Sequence, residues 1–309
     1  MGDLAVAVVI LHWRNLQDTE ACLDSVYRSR GVSLRVVLVD NGSGDDLRPF
    51  RRRYPDLSLL PMRENVGFAA GNNAGIREAL RLRAGAVLLL NNDARLAPDA
   101  LSRMLEMLQN GNNIGAVVPK VNYLDARRLL WYAGGRIQWW RVSVEHFGFR
   151  QPDGPEFSVP RDVSFATGCA LLVRAEVFNR VGLFREEFYS YFEDAEFSLR
   201  LLRHGYRIRF CPWAQVLHRV GAGTRLREYS PYYLYYQTRN RLAALLPYRG
   251  SAYRFYARIF NFLVYFLLRI VLVFFGGGTG KTRKAAAVWQ GYWDSVRRKT
   301  GPERRWEEN

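Results

Sequence analysis

Short apolar runs rich in valine and leucine punctuate the first part of this chain, at residues 5–11, 34–39, 57–60, 86–90 and 114–118. Runs of this length without alternation read as strands buried on both faces. Helical patterns separate them. Residues 18–30 form one, stopped by Gly31; residues 45–53 form a short one; a third follows Asn65-Val-Gly-Phe-Ala-Ala-Gly-Asn-Asn-Ala-Gly75 and reaches Arg83; Pro98 opens a fourth at its first turn. This alternation predicts an α/β fold: a Rossmann-like, mostly parallel sheet with helices on both faces. After residue 120 the pattern changes to aromatics among polar residues, which reads as short strands and loops. A strand over 163–174 with Gly168 inside it, a helix over 175–181 stopped by Gly182, and strands at 206–210 and 214–218 complete the region.

One helix stands out. Ala195, Leu199 and Leu202 recur at helical spacing, as do Phe197 and Leu201. Glu193, Asp194 and Glu196 lie at its amino end and Arg200 and Arg203 at its carboxyl end, the order the helix dipole favours. Ser190 with Glu193 fits a capping box, and Gly205 fits the stop. The charge order therefore needs no chemistry to explain it. The flanking Phe188, Tyr189, Tyr191 and Phe192 add a second reading, a partly dehydrated carboxylate suited to general base work.

In open α/β sheets, ligands sit beyond the carboxyl ends of the strands. Asp40 follows the second strand in Asp40-Asn-Gly-Ser-Gly44, and Asp93 follows the fourth after Asn91 and Asn92. Both segments are also good turns, so neither acid is diagnostic alone. His218, at a strand end before Gly221-Ala-Gly-Thr224, is an ordinary strand-end histidine or a candidate metal ligand. Two other patterns are set aside. Gly67, Gly71 and Gly75 have the spacing of a membrane packing face, but Asn72 and Asn73 are too polar for lipid. Gly276-Gly-Gly-Thr-Gly-Lys-Thr282 resembles a phosphate loop, but Phe275 stands where the first glycine belongs.

Charge sharpens the picture. The chain carries 45 basic and 29 acidic residues, a net +16, and residues 241–309 hold 13 and 4 of these, a net +9. Within that tail, residues 259–275 are strongly apolar, with Asn261 and Arg269 inside. The run is short of the ~20 residues of a spanning helix, so it is read as lying in one leaflet. A true span, a buried helix or a homodimer-packing helix are the alternatives. Its basic flanks suit an anionic cytoplasmic leaflet, and Trp289 and Trp293 suit the headgroup zone. Three scattered cysteines argue for a reducing compartment, and the first residues lack a signal-peptide pattern. A nucleic-acid-binding protein would use the positive charge, but the excess is concentrated in the tail and no reader motif is present. A non-catalytic carbohydrate-binding protein would use the aromatics but has no need of Asp194.

Val39-Asp-Asn-Gly-Ser43, Glu64-Asn-Val-Gly-Phe-Ala69, Leu90-Asn-Asn-Asp93, Thr167-Gly-Cys-Ala-Leu-Leu-Val-Arg174, Tyr191-Phe-Glu-Asp194 and Val216-Leu-His218 occur in one order over residues 5–225. This ordered set resembles an inverting family-two glycosyltransferase of GT-A-type fold, close to the bacterial rhamnosyltransferase-like group. The resemblance implies a catalytic domain over 1–240, with a nucleotide-sugar half at 1–118 and an acceptor half at 119–240, followed by a membrane-associating tail at 241–309. It implies that Asp40, Asn41, Asn65, Gly67, Asn91, Asn92 and Asp93 bind the donor. Asp93 and His218 would hold magnesium or manganese, and Asp194 would be the base, supported by Glu193. Asn91 stands where the family usually has an acid, which keeps an oxygen donor but loses a charge. The implied partners are dTDP-rhamnose or a UDP-sugar as donor and a lipid-linked saccharide as acceptor. The implied location is the cytoplasmic face of the membrane.

Overall fold

The computed structural model describes residues 5–111, 113–219, 229–275 and 279–306. The glycine-containing loop after His218 and the start of the phosphate-loop-like run lie outside the described residues.

The first valine-rich run is β1 (Val6–His12), buried along its whole length. It pairs in parallel with β2 (Leu34–Asp40) on one side and β4 (Ala86–Asn91) on the other, and β3 (Ser58–Pro61) extends the sheet beyond β2. Between these strands run α1 (Leu16–Tyr27), α2 (Arg48–Arg53) and α3 (Gly67–Arg81). The four-residue glycine spacing has a soluble purpose. A Cβ at Gly71 would meet the Leu11 side chain at 2.5 Å, and one at Gly75 would overlap Val9, so α3 lies directly on β1.

Beyond β4 come β5 (Ala94–Leu96), α4 (Ala100–Asn110), β6 (Ile114–Tyr123) and β7 (Leu130–Tyr132), then a separate hairpin of β8 (Gly135–Gln138) and β9 (Ser143–His146). The expected strand over 163–174 is two strands, β10 (Arg161–Val163) and β11 (Ala170–Arg174). Residues 164–169 leave the sheet because Ala170 takes up antiparallel pairing with Leu90 of β4. α5 (Ala175–Val181) and α6 (Glu193–Arg203) follow. The two strands expected over 206–218 are one, β12 (Arg207–His218), with a register shift between Cys211 and Gln215. Pro212 lies in that interval and cannot donate to a ladder, so the chain bulges rather than turns. The large sheet runs β10-β12-β6-β11-β4-β1-β2-β3.

The carboxyl-terminal part is helical: α7 (Pro231–Leu245), α8 (Ser251–Phe260), a π-helical stretch (Asn261–Leu268), α9 (Arg269–Phe275) and α10 (Lys281–Val296). The middle three form one continuous helix, Ser251–Phe275, of 25 residues. It is longer than the apolar run, and by length and composition it is able to cross a membrane. α7 crosses position 240 and packs on α10 through a Tyr235 hydroxyl donating to Asp294 at 2.7 Å.

Candidate functional site

At the carboxyl ends of β1, β2 and β4 the parallel register aligns His12 with Asp40 and Leu11 with Asn91. Asp40 thus ends β2 at the same end of the sheet where Asn91 ends β4, with Asp93 two residues beyond Asn91. Asp40 accepts from the Ser43 amide at 2.9 Å, closing its turn. Asn41 is buried and ties that turn to the neighbouring loop: its Nδ2 donates to Asn65 at 2.9 Å and its oxygen accepts from the Val66 amide at 3.0 Å. Asn65 also accepts from the Gly67 amide at 2.9 Å. Gly67 has φ +84°, and a Cβ there would meet the Tyr189 ring at 2.5 Å. The Ala69 amide donates to the Tyr189 carbonyl at 3.2 Å, which joins this loop to the turn before α6.

Asp93 faces His218. His218 ends β12, is 7 % exposed, and brings Nε2 to 3.0 Å from Asp93 Oδ1. The Trp131 ring packs edge-on against its imidazole at 4.7 Å. Burial alone would lower the His218 pKa, but the nearby Cys169 and Asp93 outweigh it and hold the imidazole well above its usual range. His218 Nδ1, on the other side of the ring, is buried without a hydrogen-bond partner among the described residues. A carboxylate oxygen and an imidazole nitrogen aimed at each other fit a divalent cation as two of its donors. Among the described residues no group of three His, Cys, Asp or Glu side chains is arranged to hold a metal ion.

Asp194 sits in the first turn of α6, its side chain partly open. Its two oxygens accept from the Gly168 amide at 3.1 Å and the Ala195 amide at 2.8 Å. Burial is the main cause that raises its carboxyl to about 6, against the lowering effect of those amides. Glu193 beside it is 4 % exposed, with Oε2 unpartnered among the described residues. Burial, then the Asp194 charge, drive its pKa well up, so it is the neutral member of the pair. The expected capping box does not form. The helix begins from Phe192 in the left-handed region, with no side-chain cap, and Ser190 takes no part.

The segment 167–169 links these groups. The Asn91 amide donates to the Cys169 carbonyl at 2.9 Å, while the Gly168 amide holds Asp194. The Phe68 ring packs against Gly168. Contacts thus run from Asn91 at the end of β4 through residues 167–169 to Asp194, Asp93 meets His218, and Asp40 closes its own turn at the end of β2, which Asn41 and Asn65 tie to the loop before α3.

Neighbouring residues, some named above and some not, hold these segments in place. His12 is fully buried, with Nδ1 2.7 Å from the Thr19 hydroxyl and Nε2 3.0 Å from Asp45. Asn92 donates to Thr19 at 2.9 Å, fixing the strand end beside Asp93. The turn before α6 holds three non-glycine residues at positive φ, Tyr189, Tyr191 and Phe192. Such conformations cost roughly 1–3 kcal/mol each. Asn240 offsets this with one carboxamide that donates to the carbonyls of Phe188, Ser190 and Tyr191 at 2.8–2.9 Å. Arg239 adds a bond to the Phe188 carbonyl at 2.8 Å. The aromatic-rich turn hints at Tyr191 and Phe192, but nothing in the pattern points to Asn240.

The sequence profile of the Glycosyl transferase family 2 matches residues 7–182. An N-acetylglucosaminyl-diphospho-decaprenol L-rhamnosyltransferase of Mycobacterium tuberculosis is 28 % identical over 222 residues, which cover 65 % of this chain and 70 % of that protein. The dTDP-rhamnosyl transferase RfbF of Shigella flexneri is 23 % identical over 252 residues, 79 % of this chain and 81 % of that one. Among solved structures, GalNAc-T7 with UDP, GalNAc and Mn2+ aligns with TM-score 0.59 at 16 % identity, over 88 % of this chain. The chain spans 58 % of that protein's length. At that identity the likeness carries the GT-A fold alone.

Proposed function

The chain belongs to glycosyl transferase family 2, and from that premise we propose that it transfers a sugar, rhamnose first among candidates, from a nucleotide diphosphate to a lipid-linked saccharide at the cytoplasmic membrane face. That it is a glycosyltransferase follows from the family. Rhamnose and the lipid carrier are supported by the names of the two relatives, with UDP-sugars the second donor class. The observation that carries the reading is the run of contacts from Asp194 through Gly168 and Cys169 to Asn91, two residues before the Asp93 that meets His218.

In this reading Asp40 meets the base or ribose, in a pocket whose wall Asn41, Asn65 and Gly67 hold in shape. Asp93 and His218 hold magnesium or manganese, with Asn91 and Asn92 at the same strand end. A cation bound there neutralises charge on the leaving diphosphate, and the imidazole ligand favours manganese. Asp194 accepts the proton of the acceptor hydroxyl at its open side. The Gly168 and Ala195 amides fix the carboxylate, so it need not reorganise as the hydroxyl attacks. Glu193 stays protonated and leaves the negative charge to its neighbour. With one carboxylate in play and no covalent intermediate, direct displacement inverts the anomeric carbon.

The exposed apolar residues of the long helix, among them Phe255, Leu263, Leu267, Val271 and Phe275, support seating at a membrane. The net +9 of residues 241–309 supports an anionic leaflet. The test is a transfer and hydrolysis screen of the full chain with dTDP-rhamnose and UDP-sugars, with and without manganese. One donor is expected to turn over in a manganese-dependent way, and Asp93→Ala is expected to weaken its binding at least about tenfold. Turnover of no nucleotide sugar by the folded protein would end the reading.

A further inference from the structure

Two guanidinium groups lie together between the turn that leads into α6 and the long apolar helix, with no carboxylate partner among the described residues. Arg241, from α7, is 2 % exposed. Its guanidinium is 3.5 Å from the centre of the Tyr265 ring and 5.0 Å from that of Phe192. Nη1 donates to the Val142 carbonyl at 3.0 Å, Nη2 reaches Gln237 at 3.3 Å, and Nε has no partner among the described residues. Arg269, from α9, lies 5.1 Å from the same Tyr265 ring and reaches the Thr238 hydroxyl at 3.4 Å. It keeps part of its surface open. The charges acting on Arg241 are those of Arg269, Tyr265 and Tyr233, with no carboxylate among them.

Other buried charges are better satisfied: Arg239 bonds to the Gly301 and Phe188 carbonyls and to Asn240. Glu196 is fully buried and meets Arg200 at 2.9 Å and Arg185 at 3.2 Å. A desolvated cation without an anion costs several kcal/mol, and a second cation beside it adds to that. The strain is visible on Arg241, where burial lowers the pKa to about 10. Cation–π contacts and one carbonyl offset only part of it. An anion between the two groups would complete the balance.

Position says which anion. Phe192 is two residues before Asp194, and Tyr265 belongs to the long apolar helix, where its hydroxyl donates to the Arg141 carbonyl at 2.9 Å. The Trp139–Arg141 turn rests on the same helix, with Tyr253 donating to the Trp139 carbonyl at 2.9 Å. An anion held here has the base on one side and the membrane-seeking helix on the other. The donor diphosphate belongs at Asp93 and His218 instead.

We propose that Arg241 and Arg269 bind the diphosphate of a lipid-linked acceptor, with the phenols of Tyr229 and Tyr233 beside them, so that the lipid follows the apolar helix and the sugar reaches Asp194. This rests on the proposed transfer to a lipid-linked saccharide and adds where its headgroup is held.

The test measures binding of farnesyl diphosphate, farnesol and inorganic pyrophosphate to the full chain in neutral detergent micelles, with UDP and manganese saturating the donor site. Farnesyl diphosphate is expected to bind at least tenfold more tightly than either of the others. Arg241→Gln and Arg269→Gln are each expected to lower that affinity at least tenfold, and Arg241→Lys to retain most of it. Thermal melting checks folding; should the buried Arg241 variants unfold, the partly open Arg269 carries the test. Unchanged affinity in folded Arg269→Gln would overturn the proposal, and so would pyrophosphate binding as tightly as farnesyl diphosphate. Donor turnover is read separately: its absence would sink the sugar-transfer reading, while pair-dependent binding of farnesyl diphosphate would still uphold the anion site.

Discussion

Adjacent carboxyls at the start of α6 meet different surroundings. Two backbone amides reach Asp194, while Glu193 is buried with an oxygen unpartnered among the described residues. The base must be ionised to accept a proton, and burial puts the Asp194 midpoint at about 6. Transfer is therefore expected to fall about tenfold per pH unit below that midpoint and to level off above it. A kcat/KM profile at saturating metal checks this, and a flat profile between pH 5 and 8 would remove Asp194 as base. Burial and the Asp194 charge push Glu193 well above the usual carboxyl range, so Glu193→Gln mimics its protonated form. Its turnover is expected within about threefold of the native enzyme, and a loss of 10² or more would give Glu193 a protonic role. Sequence alone drew attention to these acids, because dipole-ordered charges among aromatics are visible in the pattern. Which acid stays charged was not visible, because that depends on the Gly168 amide, 26 positions away.

The turn before α6 and helix α7 form one working element. Asn240 spends its carboxamide on three carbonyls of a turn that contains three left-handed non-glycine residues. At roughly 1 kcal/mol for each net hydrogen bond, Asn240→Ala is expected to lower stability by about 2–4 kcal/mol. It is also expected to lower kcat more than it raises donor KM, because the carbonyls Asn240 holds run directly into Asp194. Denaturant melts together with steady-state kinetics separate the two effects, and an unchanged kcat would make Asn240 purely structural. The parallel strands were legible because buried strands leave continuous apolar runs. The break between β10 and β11 and the unbroken β12 were not, since strand ends there are set by partners: Leu90 claims Ala170, and β6 carries β12 past Pro212. The capping signal at Ser190 failed for a similar reason, as Asn240 holds that carbonyl in a turn incompatible with a cap.

Across the whole molecule, charge and apolar surface are concentrated in the same part of the chain. The 25-residue helix exposes Phe275 at 85 %, and its basic flanks suit an anionic surface. Leu267→Glu with Val271→Glu, both at exposed positions, is expected to reduce partition onto phosphatidylglycerol vesicles at least about tenfold, with little change in melting temperature. Undiminished partition in a flotation assay would reject the helix as the anchor. The tail is legible as a composition shift. The bracing of the turn before Asp194 by Arg239 and Asn240, just ahead of the tail, is not, because those contacts lie some fifty positions apart in the chain. The proposed site brings donor, cation and base together, and Asp194→Asn tests that proposal most directly, with manganese-dependent donor affinity and sugar transfer measured on the same protein. Affinity is expected within about twofold of the native value while transfer falls by about 10²–10⁴; transfer at the native rate would contradict the assignment.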